Sequence, residues 1–200
     1  MRVDVNPRID EGATWEAREL GVASDRALPE ALAGAISAAL RERGKLGSEP
    51  SLDVRSTPSI RAYLARPDLA ELAGRGTATP DHVIRLKPFP LLIGEDTVAL
   101  GKALDQYDRD YSAYFQRHAP IASEPKTMLD PLPRAILVRG FGIVGLGRSP
   151  KDARIVADLW EQTARIVLAA ESWGRFSPIS ERELFDMEYW SLEQAKLARA

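Results

Sequence analysis

The sequence predicts a mixed α/β fold, and two observations carry that expectation. Short apolar runs with strand patterning, at 51–55, 135–138 and 143–144, alternate with longer stretches whose apolar residues recur at helical spacing. The chain has 200 residues, of which 44% are hydrophobic and 28% charged, a length and balance that suit one domain with a buried core.

Residues 1–27 are polar and without sustained period, and read as an extended N-terminal arm with at most a turn of helix around Trp15. A helix is expected over 28–43, with Asp25 as its cap, Pro29 in its first turn and Leu32, Ile36, Ala39 and Leu40 on one face. Gly44 and Gly47 end it. The alternating run 51–55 is a strand. Thr57 and Pro58 open a helix through Ile60, Tyr63 and Leu64, and a second short helix starts at Leu69. Thr79, Pro80 and Asp81 form a capping candidate, and 88–93 is an apolar segment bounded by Pro88 and Pro90.

A long amphipathic helix is expected over 96–117, with Tyr107, Tyr111 and Tyr114 on one face. That stripe reads as core or interface packing. His118, at its end, complements the helix dipole. The run 135–138 is a buried strand, and Ile143 and Val144 form a second. The strongest helix runs from Ser149 and Pro150 to about Trp173, capped by Ser149. The domain is therefore expected over 28–176, and 177–200 as a helical tail mixing Glu181, Glu183, Asp186 and Glu188 with Phe185, Met187, Tyr189 and Trp190.

Composition excludes whole chemistries. The formal net charge is −2, so no basic excess draws the chain to nucleic acid or an anionic membrane. There are no cysteines and two histidines, His82 and His118. Disulfides, thiolate metal sites, thiol nucleophiles and a site built from several histidines are all ruled out. No apolar run approaches the ~20 residues of a membrane helix, and the N-terminus lacks signal-peptide character, so a cytoplasmic location is expected.

The segment 140–145 matches G-x-G-x-x-G letter for letter. In a dinucleotide site such glycines let the backbone approach a pyrophosphate at a helix N-terminus. No second strand with a terminal acidic residue follows about 20 positions on, and the residues between the glycines have strand character. The alternative is a glycine-rich hairpin whose backbones pack closely.

Read through the following helix, 137–153 resembles the closing segment of the class II aldolase/adducin fold. The stretch 59–68, ending in Arg66, Pro67 and Asp68 and followed by Thr77 to Pro80, resembles the same family's helix, Arg-Pro-Asp and His-Thr-His-Pro run. The segments 79–88, 129–131 and 184–197 are similar to the central region of bifunctional aldolase/short-chain dehydrogenase proteins of the rhamnulose-1-phosphate aldolase/alcohol dehydrogenase type. The resemblance implies a three-layer α/β architecture with a central, mostly antiparallel sheet flanked by helices.

It also implies an altered site. The positions matching the family's three metal histidines are Thr77, Thr79 and Phe141, and the matching carboxylate region offers only Asp53. Threonine and phenylalanine do not replace imidazole as ligands. No metal or other cofactor is therefore expected. What the resemblance implies is a non-catalytic aldolase-like module, packing against aldolase or dehydrogenase domains or forming homo-oligomers, its tyrosine stripe and aromatic tail supplying the surfaces. Two alternatives stand beside it. One is a sugar-phosphate lyase or isomerase using His82, Arg85 and Lys87, with Asp81 orienting His82 and with Arg139 and Arg148 joining the pocket. The other is a nicotinamide-dependent oxidoreductase using the 140–145 glycines.

Overall fold

The computed structural model describes residues 28–44, 46–47, 49–94 and 99–191. The N-terminal arm with Trp15, the Asp25 cap and the first residues of the 96–117 helix lie outside them. The described elements are helix α1 (Glu30–Arg43), strand β1 (Ser51–Arg55), helices α2 (Pro58–Leu64), α3 (Leu69–Gly74) and α4 (Val83–Leu86), strand β2 (Leu91–Ile93), helix α5 (Leu100–His118), strands β3 (Ala135–Val138) and β4 (Gly142–Gly147), and helices α6 (Pro150–Trp173) and α7 (Glu181–Glu188).

Four strands pair in the order β1-β4-β3-β2. The first two pairings are antiparallel, and β2 lies parallel to β3. That parallel pair is possible because the chain leaves β2, runs the length of α5 and returns to β3. The Pro-bounded segment at 88–93 thus contributes a three-residue edge strand. Its pairing with Ile136, Leu137 and Val138 defines it more than any pattern of its own.

Side-chain alternation assigns each strand residue to a face. Ile136, Val138, Val144 and Leu146 pack with Leu32, Ile36 and Leu40 of α1, with Leu104, Tyr107, Tyr111 and Tyr114 of α5, and with Phe185. Ala135, Leu137 and Ile143 pack with Ile60 and Tyr63 of α2, Leu69 and Leu72 of α3, and Trp160, Ala164 and Val167 of α6. Helices therefore flank the sheet. The tyrosine stripe and the aromatic tail face each other within the chain: Tyr114 and Phe115 each meet Phe185 edge-on or tilted, and Phe185 stacks on Tyr189 at 4.5 Å. The expectation that these groups form an external packing surface is corrected for Tyr107, Tyr111, Tyr114, Phe185 and Tyr189, which are buried in the chain's own core, whereas Trp190 of the tail stays exposed.

The glycine segment is a hairpin. Gly140, at φ 84°, makes the turn between β3 and β4, where the Phe141 amide bonds the Val138 carbonyl at 3.0 Å. Gly142 and Gly145 lie inside β4 rather than at a strand-to-helix turn. A side chain on Gly142 would strike the Arg55 carbonyl of β1, and one on Gly145 would strike the Ala153 carbonyl and approach the Ala157 amide to 2.8 Å. The space a dinucleotide fingerprint leaves for pyrophosphate is filled here by backbone, so the nicotinamide reading of this motif fails. Gly147 is confined in the same way by Asp152 and Ala153. Helix α6 starts three residues later, with Pro150 at its first position and Ser149 Oγ accepting from the Asp152 amide at 3.2 Å.

No described helix is long and apolar enough to cross a membrane.

Candidate functional site

The hairpin β3–β4 decides which basic residues meet. Arg134 precedes β3 and Arg148 follows β4, and antiparallel pairing sets Ala135 beside Gly145, so the two arginines flank the same end. The Leu146 amide ties this end closed by bonding the Arg134 carbonyl at 2.8 Å. Arg139 follows β3 at the other end, roughly 13 Å away for four strand residues. There it donates to the carbonyls of Leu64 and Arg66, at 3.5 and 3.3 Å.

Against the Arg134–Arg148 end lies a cleft of about 580 Å³. Its charged lining comprises Arg85, Lys87, Asp130, Arg134, Arg148, Asp152 and Glu188. Of the residues singled out from sequence, Arg85, Lys87 and Arg148 share this cleft. His82, Asp81 and Arg139 are not part of its wall. His82 is half-buried in the turn before α4, where burial lowers its pKa and the Asp81 charge opposes that shift.

Lys87 follows the last turn of α4 and precedes Pro88. Its amide bonds the Val83 carbonyl at 2.8 Å, closing the helix. Its backbone sits at φ 61°, ψ 170°, and among the described residues it alone, glycines aside, has a positive φ. The side chain is buried, with 2% of its surface exposed. Nζ donates to the Asp130 carbonyl at 2.5 Å and lies 3.4 Å from the centre of the Tyr111 ring. Burial pulls its pKa down to about 7, against the opposing attraction of Glu188.

Glu188 is equally buried. Desolvation pushes its carboxyl upward, while Lys87 and the tyrosine hydroxyls pull the other way. Its Oε1 accepts from the Tyr111 hydroxyl at 2.8 Å, and that hydroxyl also meets Tyr189 Oη at 2.8 Å. Arg134 and Asp130 form a bidentate ion pair in the adjoining wall, one arm at 3.0 Å. At the mouth, Arg85 reaches Asp152 at 3.5 Å, and Ser149 Oγ donates to the same carboxylate at 2.7 Å. Arg148 is exposed. The cleft thus has a charged rim and an interior wall in which an amine and a carboxyl share a low-dielectric environment.

Tyr111, Asp130, Arg134 and Glu188 escaped sequence reasoning as site residues. Tyr111 is part of the stripe read as core, which it also is. Asp130 and Glu188 fall in the segments that carry the family resemblance, and a single acidic residue between Met187 and Tyr189 was the available hint of a buried carboxyl.

The matched metal positions do not suit a metal. Thr77 is buried and its hydroxyl donates to the Thr79 carbonyl at 2.8 Å. Thr79 Oγ1 is buried without a hydrogen-bond partner among the described residues, and Phe141 is embedded in the core. Asp53 is held by Arg55 at 2.6 Å. Among the described residues no group of three or more histidine or acidic side chains is placed to hold a cation. A hydroxyl pair and a phenyl ring supply no set of donors for a divalent ion.

The family model described as "Aldolase class II, second domain" matches residues 23–197. A protein of Bacillus subtilis (strain 168) named "Uncharacterized oxidoreductase YuxG" is 30% identical over 134 residues, which is 62% of this chain. The match covers 19% of that protein's length. No solved structure matches the chain.

Proposed function

The chain belongs to the family of class II aldolase second domains, and we propose that it is a member that does not perform metal-dependent aldol chemistry. In this reading it keeps the three-layer aldolase/adducin-like arrangement and works by packing, against aldolase and dehydrogenase domains or copies of itself, in a cytoplasmic sugar-phosphate system of the rhamnulose-phosphate type. The carrying observation is the trio Thr77, Thr79 and Phe141. One hydroxyl is committed to a backbone carbonyl and the phenyl ring to the core, at the positions that the resemblance matches to the family's imidazoles. The oxidoreductase name of the Bacillus subtilis relative, and the fifth of its length that this chain matches, support a module within a longer dehydrogenase-bearing polypeptide. Trp173, Trp190 and Ile121 are large apolar side chains left exposed and are the groups available for such packing.

The test is metal analysis of the full chain purified from zinc- and manganese-supplemented medium, paired with an aldol-cleavage assay on rhamnulose 1-phosphate. The expected result is no stoichiometric metal and no cleavage above a protein-free control. One bound equivalent that supports cleavage overturns the proposal.

A second reading, a metal-free lyase or isomerase acting on a sugar phosphate, is favoured by one observation: Arg85, Lys87 and Arg148 line one cleft. His82 drops out of that reading because it does not line the cleft. Loss of cleavage in both Lys87→Arg and Arg148→Ala, with metal absent throughout, would select it.

A further inference from the structure

We propose that Lys87 is an amine nucleophile that captures small aldehydes or ketones bearing an anionic group, forming an imine at the inner wall of the cleft. This goes beyond the metal question and does not depend on how that question is answered.

Two unfavourable choices coincide at one residue. A left-handed φ with ψ near 170° is a region occupied almost only by glycine, yet a lysine stands there. That lysine is buried, where an ammonium loses its hydration. A leucine or methionine would fill the space without the second difficulty. Strained backbone and a desolvated amine beside a cleft are the arrangement by which a lysine becomes a nucleophile. The amine is presented by the Asp130 carbonyl and the Tyr111 ring rather than by a flexible surface stem. Its depressed pKa, about 7, gives it roughly a thousand-fold more neutral amine at pH 7 than an exposed lysine.

The ligand class follows from the wall. Four basic side chains line the cleft; Arg134 is paired with Asp130, and Arg85 reaches Asp152. Arg148, exposed at the rim, has no ion-pair partner among the described residues. It is the group that would take a carboxylate or phosphate while the carbonyl end enters toward Lys87.

The step balances without any further reactant. The Nζ lone pair forms a C–N bond to the carbonyl carbon, and the carbonyl oxygen takes up a proton. The C–O bond then breaks, and the oxygen leaves as water carrying the two protons that the neutral amine gives up. Glu188, whose pKa is raised by burial in the same wall, is the carboxyl suited to pass a proton to the departing oxygen.

The test uses the full wild-type chain at pH 7 with glyoxylate, dihydroxyacetone phosphate or uncharged glycolaldehyde, each trapped with sodium cyanoborohydride. Adducts are quantified by peptide mass mapping. Lys87 is expected to label at least about ten-fold faster than the surface lysines Lys102 and Lys151. The anionic probes should outpace glycolaldehyde at Lys87, and Arg148→Ala should erase that preference. Comparing glyoxylate with the phosphate probe reads which anion the rim takes. The groups facing Nζ are Tyr111 from α5, Glu188 from α7 and the Asp130–Arg134 pair. With these fixed, labelling should level off above pH 7 instead of climbing toward pH 10. Labelling of Lys87 no faster than the surface lysines, in protein whose circular dichroism is native, overturns the proposal without touching the metal result. Equal rates for charged and uncharged probes overturn the assignment of Arg148. Lys87→Arg supplies the independent control: it keeps the charge, cannot form the imine, and should lose the fast adduct alone.

Discussion

The glycines of the β3–β4 hairpin hold backbone contacts, and Gly145→Ala tests that directly. The added Cβ would sit 2.8 Å from the Ala157 amide nitrogen, 3.1 Å from Ala157 Cβ, and closer still to the Ala153 carbonyl oxygen. All three belong to α6, whose regular hydrogen bonding leaves it little room to yield. The helix must move outward as a body, opening the contacts of Val156 and Trp160 beneath it. Overpacking of this kind costs about 1–3 kcal/mol, and obstruction by backbone places this site at the upper end. For a chain of this size each kcal/mol moves the melting temperature by about 2–4 °C, so a fall of about 5–10 °C is expected. Gly34→Ala is the internal control. It lies exposed in the middle of α1, with nothing within 4 Å of the new methyl. There the substitution removes a helix-breaking residue and should stabilise by about 0.5–1 kcal/mol. Differential scanning calorimetry of the two variants beside wild type reads opposite signs. If Gly145→Ala melts with wild type, the close packing of β4 on α6 is wrong, and a ligand-binding role for the motif regains its case.

Three further outcomes follow from individual contacts. Ser149→Ala removes the cap of α6 and the hydroxyl that bonds Asp152, and should lower stability by about 1 kcal/mol in urea titration; no change would mean the α6 N-terminus is held elsewhere. At position 87, Lys87→Gly should be more stable than Lys87→Ala by about 1–3 kcal/mol, because both lose the side chain but glycine alone relaxes the left-handed backbone; equal stability would refute the strain. Asp130 is pushed up by burial, but the Arg134 hydrogen bond and charge outweigh that and hold its carboxyl below the ordinary value. A depressed folded pKa stabilises above the unfolded value and is lost as pH falls toward the folded one. The stability gap between wild type and Asp130→Asn should therefore be widest near neutrality and narrow below about pH 4; a gap constant with pH would show that Asp130 is not ionised in the fold.

What the sequence made legible is what local rules govern. Ser149 and Pro150 announce the start of α6 because a cap and a proline act within one turn. The strands at 51–55 and 135–138 showed through their patterning, and the hairpin through strand character between glycines. Edge strand β2 was hidden, since two prolines flank three residues whose pairing depends on β3. The site was legible only in part. Arg85, Lys87 and Arg148 could be named, but the cationic group drawn from His82 assumed that neighbours in sequence share a surface. His82 is the member that falls outside, while Lys87, on a left-handed backbone where no residue-type rule expects a lysine, lines the cleft with Arg85. Glu188 and Tyr111 meet across 77 positions of sequence, and only the packing of α7 on α5 joins them.

The hairpin also separates framework from chemistry. Phe141, which stands where the family's third metal ligand is matched, lies at the turn end beside Gly140. The cleft lies at the open end between Arg134 and Arg148. Since β3 spans about 13 Å between these ends, Phe141 is set apart from the cleft along the hairpin. Gly142, Gly145 and Gly147 fix that scaffold by contacts with β1 and α6 that involve no metal. Thr77, Thr79 and Phe141 do not line the cleft, so its geometry does not rest on their side chains.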